Sequence, residues 1–232
     1  MPDTLWPEGA AEDYRKARED LLDAERALRD RVEEVAAARR ALPPGAVMSQ
    51  YTFDEGPADL GLDEPVSTPA LADLFGEHDT LVVYHLMYAP EDDGACPMCS
   101  MWVDGFHGVA HHLARHTGFA VVAKAPLPQL REWGRRRGWD GLRLLSSFGS
   151  SFNRDLHAED DEGQRPGLSV FRRDGRTIRH WYTMHADFTP QERERGIDPY
   201  SPVWAVLDLL PQGRGDWYAG NDYAGRSRAS GS

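Results

Sequence analysis

Leu81-Val82-Val83-Tyr84-His85-Leu86-Met87-Tyr88, a short loop, and then Cys96-Pro97-Met98-Cys99: this stretch decides how the whole chain is read. The apolar run reads as a buried strand, and the residues after the cysteines, Ser100 to Arg115, can be helical. A strand, a loop, a C-x-x-C pair and a helix is the layout of a thiol–disulfide redox site. Two residues between the cysteines let one thiol sit exposed at the first turn of the helix, with the other about a turn behind it. The unpaired N–H groups and partial positive charge of a helix N-terminus favour thiolate over thiol. Such sites lower a cysteine pKa from about 8.5 to about 3.5–7.5, so the exposed sulfur becomes a nucleophile at neutral pH. Cys96 is then the attacking thiolate, and Cys99 resolves the mixed disulfide by attacking Cys96. A pair of buried, inert thiols is the bland alternative. That alternative must explain why the only two cysteines in 232 residues fall at this spacing and at this turn.

Outward from this site, composition sets the bounds. A chain of 232 residues at 41% hydrophobic can bury a substantial core. Its 26 basic and 38 acidic residues give a net charge of −12, which argues against a nucleic-acid surface, because phosphates need a basic face. No stretch approaches the ~20 apolar residues of a membrane span, and Met1-Pro2-Asp3-Thr4 lacks the features of a secretion signal. These features lead us to expect a cytoplasmic protein, where structural disulfides are rare and a cysteine pair reads as redox-active or metal-binding.

Residues 11–41 read as one long helix, with Leu21, Leu28, Val35 and Leu42 recurring every seven residues and Pro43-Pro44-Gly45 ending it. An arm packing this stripe on the core is expected ahead of a dimerising coiled coil, which would span few heptads. From 47 to 79 short strands and turns are expected. Ser67 to Gly76 reads as a short helix capped by Ser67 or Thr68, with Pro69 at its first position. Beyond the redox helix, 117–123 reads as a buried strand, 127–138 as a helix ended by Gly138, 142–146 as a short strand and 146–153 as a loop. Leu168 to Arg172 and Thr177 to Tyr182 form a hairpin signature turning at Asp174-Gly175. A helix is expected over 199–210, and a Gly-, Ser- and Arg-rich tail with little to bury from Gln212. The expected organisation is a helical arm (1–45), an α/β layered domain (46–211) and a flexible tail (212–232).

Several of these segments together carry a family likeness. They are Ser67 to Gly76, Tyr84-His85-Leu86-Met87, Gly94 to Trp102, Ala125-Pro126-Leu127, Gly138-Trp139, Ser146 to Asn153 and Pro166 to Phe171. In that order, over about residues 5–210, the chain resembles the thioredoxin superfamily. Within it, the chain most resembles the uncharacterised bacterial thioredoxin-like family catalogued as domain of unknown function 899. The resemblance implies a central mixed sheet flanked by helices, with the long N-terminal helix added. It also implies a cis-proline before the strand facing the C-x-x-C pair, which here is Pro166. Its backbone would then offer hydrogen bonds to a bound substrate chain, so Cys96, Cys99 and Pro166 are the candidate catalytic residues. An ordinary trans proline opening a strand is the alternative.

Two other chemistries compete. A peroxiredoxin-type peroxidase carries proline, threonine and cysteine as P-x-x-x-T-x-x-C. Here Pro90 precedes Cys96 by six positions rather than seven, and Glu91 to Ala95 contains no threonine. The acidic Glu91, Asp92 and Asp93 would also oppose a thiolate nearby. A copper(I) or zinc site is the second competitor: Cys96 and Cys99 with one of His107, His111, His112 or His116. A solvated helix face with incidental histidines is favoured over it, and His85 reads as a satisfied core histidine. The aromatic residues read as core, and no phosphate loop or nucleophile elbow occurs. The sequence therefore points to an enzyme: a dithiol exchanging electrons with a protein or small-molecule disulfide. It needs an external reductant, because nothing in the chain binds a nicotinamide or flavin. The sequence leaves the substrate and oligomeric state open.

Overall fold

The apolar run around Val83 takes an interior position in a six-stranded sheet, in a computed structural model that describes residues 6–185 and 198–223. The chain begins with helix α1 (Glu12–Arg40), strand β1 (Asp54–Glu55) and a 3-10 helix at Leu71–Phe75. Strand β2 (Thr80–Leu86), helix α2 (Pro97–Leu113), strand β3 (Gly118–Ala123), helix α3 (Leu127–Arg137) and strand β4 (Leu144–Ser146) follow. Next come helix α4 (Phe152–Asp155) and the small strands β5 (Glu159–Asp160) and β6 (Gly163–Gln164). Strands β7 (Gly167–Asp174) and β8 (Thr177–His185), a 3-10 turn at Asp198–Tyr200 and helix α5 (Pro202–Leu207) complete the order. The large sheet runs β1-β4-β3-β2-β7-β8. Its β2, β3 and β4 are parallel, and β7 and β8 are antiparallel to their neighbours. This is a thioredoxin-like α/β fold with a long N-terminal helix.

The chain divides into two compact units, Met1–Pro43 and Pro44–Ser232. Within the first, α1 carries Glu12 and Asp13 in its first turn and Arg39 and Arg40 in its last, the arrangement that suits the helix dipole. No residue of α1 is buried, and Leu21 and Leu28 of the expected stripe stand exposed. None of the described helices is long and apolar enough to cross a membrane.

Within the second unit, β2 feeds both faces of the sheet. Tyr84 and Leu86 join the core built with α2 and α3, while Leu81 and Val83 join the core around Phe75 and Phe152. A strand buried on both faces has no place for polar alternation, which is why it reads as a continuous apolar run. Helix α2 buries Met98, Cys99, Trp102, Val103 and Phe106. That is one stripe at helical spacing, and each large side chain contributes roughly 1.5–3 kcal/mol by leaving water. Helix α3 ends where Gly138 turns left-handed at φ 74°, a conformation without penalty for glycine. The hairpin turns at Gly175, also at positive φ, with Asp174 facing Thr177.

Local expectations fail where a partner distant in sequence takes over. Ser67 does not cap the short helix; its N–H and C=O pair with Glu55, and Ala70 holds the cap position, its N–H donating to Asp73 Oδ2 at 2.8 Å. The expected loop at 146–153 runs into α4, followed by the unforeseen β5–β6 hairpin. The helix expected over 199–210 is shorter. The tail expected to bury little from Gln212 instead buries Ala219 and bonds through Asn221, while 224–232 lie outside the described residues.

Candidate active site

Cys96 is the residue on which strand, loop and helix meet. It is the N-cap of α2, with Pro97 opening the helix, where a missing N–H costs nothing. Its own N–H donates to Met87 O at 3.0 Å, which pins it to the end of β2, and its C=O accepts from Ser100 N–H at 2.9 Å. Its thiol is half-buried, whereas Cys99, a turn further on, is 1% exposed. Both line one cavity of about 660 Å³. The cavity's apolar surface comes from Met87, Met98, Trp102 and Pro166, and its polar rim includes His157, Gln164, Arg165 and His185. A second cavity of about 880 Å³ also reaches Cys96, bordered by the acidic loop Glu91–Asp93, Lys124, Trp133 and the β5–β6 hairpin.

Burial pushes the Cys99 thiol well above the usual cysteine range, and the Cys96 sulfur beside it adds to the effect by hydrogen bond and charge. Hydrogen bonds from the Tyr84 hydroxyl and the Met87 backbone offset part of this. The protein environment thus favours the protonated form of Cys99 beside Cys96. Tyr84 is fully buried on β2 and tilts against Phe106 at 5.4 Å. Trp133 Nε1 donates to Ser100 Oγ at 3.1 Å, which fastens α3 to the first turn of α2. Further along α2, Asp104 accepts from Trp139 Nε1 at 2.8 Å and pairs with the buried Arg137.

Pro166 lines the cavity that Cys96 and Cys99 line, but its peptide bond does not have the expected geometry. Among the described residues the cis peptide bond is Glu64–Pro65, so Arg165–Pro166 is trans. The reason lies upstream. The β5–β6 hairpin delivers the chain already extended, and Arg165 N–H donates to Ala158 O at 2.8 Å just before the proline. An extended chain entering β7 keeps the intrinsically favoured trans form, and Pro166 gives up no ladder bond in front of the strand.

The histidines expected as possible metal ligands lie at the other end of the helix. His107 is eight residues beyond Cys99, roughly 12 Å along the axis, and its ring Nε2 is bound to Asp140 O at 3.0 Å. The His111 and His112 rings pack on each other at 3.9 Å in the last turn, where basic groups suit the helix dipole. Among the described residues no group of three or more His, Cys, Asp or Glu is placed to hold a metal ion. His85 is buried as expected, and its pKa falls to about 3, chiefly from burial and further from His185 and His180. Its Nε2 shares a 2.8 Å hydrogen bond with Ser169 Oγ, which continues to Thr183 Oγ1 at 2.8 Å and His180 Nε2 at 2.7 Å. Its Nδ1 is buried without a partner.

Several residues at the site carried no local sequence signal. Gln164 Oε1 accepts from Tyr88 N–H at 2.9 Å and so ties the hairpin to the end of β2. Asn221 Nδ2 donates to Ala95 O, one residue before Cys96, at 2.9 Å. His157 reaches the cavity from a left-handed backbone, φ 56°, which histidine tolerates better than most residues.

The family described as bacterial protein of unknown function (DUF899) matches residues 5–228. The chain belongs to this family. No protein among the curated ones matches it. Among solved structures, a putative thioredoxin reductase from Burkholderia cenocepacia is similar at 17% identity and a TM-score of 0.48, covering 66% of this chain and 91% of that one. Enterococcus faecalis AhpC is similar at 11% identity and a TM-score of 0.48, covering 76% and 98%. A reduced 2-Cys peroxiredoxin from Plasmodium vivax follows at 10% identity and 0.47, covering 61% and 71%. No residue role passes from these structures to this DUF899 chain.

Proposed function

We propose that this DUF899 protein is a thiol–disulfide oxidoreductase with Cys96 as nucleophile and Cys99 as resolving thiol. The observation that carries the reading is the asymmetry of the pair: one half-exposed thiol at the start of α2 and one buried thiol beside it in the same cavity. The Cys96 thiolate attacks one sulfur of a disulfide R–S–S–R′, forms the Cys96–S–R bond and releases R′–S⁻, which takes a proton. Cys99 then loses its proton and attacks Cys96 Sγ, forming the Cys96–Cys99 disulfide and releasing R–S⁻. The substrate gains two electrons and the protein loses two. An external thiol or dithiol reductant restores the pair.

The raised pKa of Cys99 suits this order of events. A resolving thiol that stays protonated does not compete for the substrate, and Tyr84 is placed to stabilise its thiolate when it forms. The test is stoichiometric. Reduced protein mixed with a small organic disulfide should release two thiol equivalents and lose the mass of two hydrogens. The Cys99→Ser variant should release one equivalent and retain the other half of the disulfide as an adduct. Release of no thiol by the reduced wild-type protein would remove the reading.

A further inference from the structure

Cys96 lines two cavities walled by distant parts of the chain. In one wall, Asp160, Glu162, Gly163 and Gln164 of the β5–β6 hairpin border both cavities. In another, Tyr218 lines the 660 Å³ cavity, while Asn221 and Asp222 line the second. The second wall has no helix or strand of its own. It is held by side-chain anchors on the platform that carries the dithiol. Asn221 Nδ2 donates to Ala95 O at 2.9 Å, Arg137 Nη1 donates to Asn221 O at 3.2 Å, and Ala219 is 6% exposed in the core shared with α2. Arg137 is itself fastened to α2 through Asp104. Asn221 therefore links the chain near its C-terminal end to the backbone immediately before the nucleophile.

We infer that residues 217–223 form a strap that selects narrow substrates: low-molecular-weight organic disulfides enter the cavity, and disulfides on a folded protein are excluded while the strap is seated. This rests on the oxidoreductase reading and names the substrate class for it. A cavity of about 660 Å³ is the size that takes a small organic molecule. Its surface next to Cys96 is apolar through Met87, Met98, Trp102 and Pro166, which suits an uncharged or apolar substituent on the disulfide. Arg165 on its rim pairs with Asp160 and Glu162.

The test measures access without requiring turnover. In a Cys99→Ser background, Cys96 is alkylated with N-ethylmaleimide and with a maleimide carried on a long polyethylene glycol chain. Each rate is divided by the rate for the same chain unfolded in denaturant. The folded protein should react far more slowly with the bulky reagent than with the small one. Asn221→Ala and Asn221→Asp, checked for folding by near-UV circular dichroism, should narrow that gap about fivefold, the effect of losing one hydrogen bond. In the Cys99-containing protein, the same substitutions should raise turnover of a folded protein disulfide relative to a small disulfide. Equal normalised rates for the two maleimides, or a gap unchanged in both Asn221 variants, would overturn the strap. A gap that closes as expected in a protein that exchanges with no disulfide would instead keep the strap and remove the oxidoreductase reading.

Discussion

The two ends of α2 carry two groups of candidate residues, the cysteine pair and the histidines, in very different surroundings. At the N-terminal end, Cys96 and Cys99 are enclosed by the end of β2, by Trp133 of α3 and by the strap, so burial and neighbours decide which thiol holds its proton. At the C-terminal end, His111 and His112 face outward and His107 is bound to a backbone carbonyl. The same helix thus presents an enclosed cavity at one end and a solvent-exposed face at the other. Reactive residue types are not enough to make a site. What other elements pack around them sets their protonation and reach.

Substitution at the N-terminal end should have the largest effect. Cys96→Ser should reduce turnover of a small disulfide to the uncatalysed background and trap no adduct. Cys99→Ser should accumulate the Cys96 mixed disulfide. Mass spectrometry of the two variants checks this, and equal trapping by both would erase the contrast between the two thiols.

Asp104, near the middle of α2, tests how firmly the helix is fastened. Its carboxylate faces the nearly buried guanidinium of Arg137, and Asp104→Ala leaves that charge without its counterion. Stability should fall by roughly 3–5 kcal/mol, read from the urea midpoint. A loss under about 1 kcal/mol would mean that water replaces the carboxylate.

Strand β2 repeats the contrast one residue apart, since Tyr84 shares a core cluster with Cys99 while His85 sits buried against Ser169 and Phe152. The unfolded His85 imidazole takes a proton near 6.5 and the folded one only at about 3, so the unfolded state binds more protons between those values. The stability contribution is therefore fully present above about 6.5 and is lost as pH falls toward 3. His180 and His185 are shifted in the same direction and add to the trend. Between pH 7 and pH 5 the His85 share of the loss is roughly 2 kcal/mol. Chemical denaturation across that range should show this slope, and His85→Gln should flatten it; an unchanged slope would assign it to other groups.

The smallest effect belongs to the far end of α2. His111→Ala and His112→Ala should shift stability by no more than about 0.5 kcal/mol and leave disulfide turnover within a few-fold. Zinc or copper(I) titration of the reduced protein against a chelator should be unchanged in these variants and in His107→Ala. Tight binding that collapses in one of them would reverse the comparison between the helix ends.

The local code alone determined much of this protein. The apolar run at 80–86 and the cysteine spacing located strand and helix, and Gly138 and Asp174-Gly175 marked the end of α3 and the hairpin turn, because each signal lies within a few residues of the element it controls. The difference in burial between Cys96 and Cys99 was likewise legible, since helix geometry places the second thiol inward. Tertiary structure decided the rest. Ser67 lost its capping role to a strand contact with Glu55, twelve residues away. Arg165–Pro166 is trans because the β5–β6 hairpin, which no apolar period announces, delivers the chain already extended. Asn221 reaches a carbonyl 126 residues away, from a segment whose composition promised little to bury. In each case the deciding partner is remote in sequence, and a hydrogen bond or a desolvated thiol exists only once the fold has brought the two ends together.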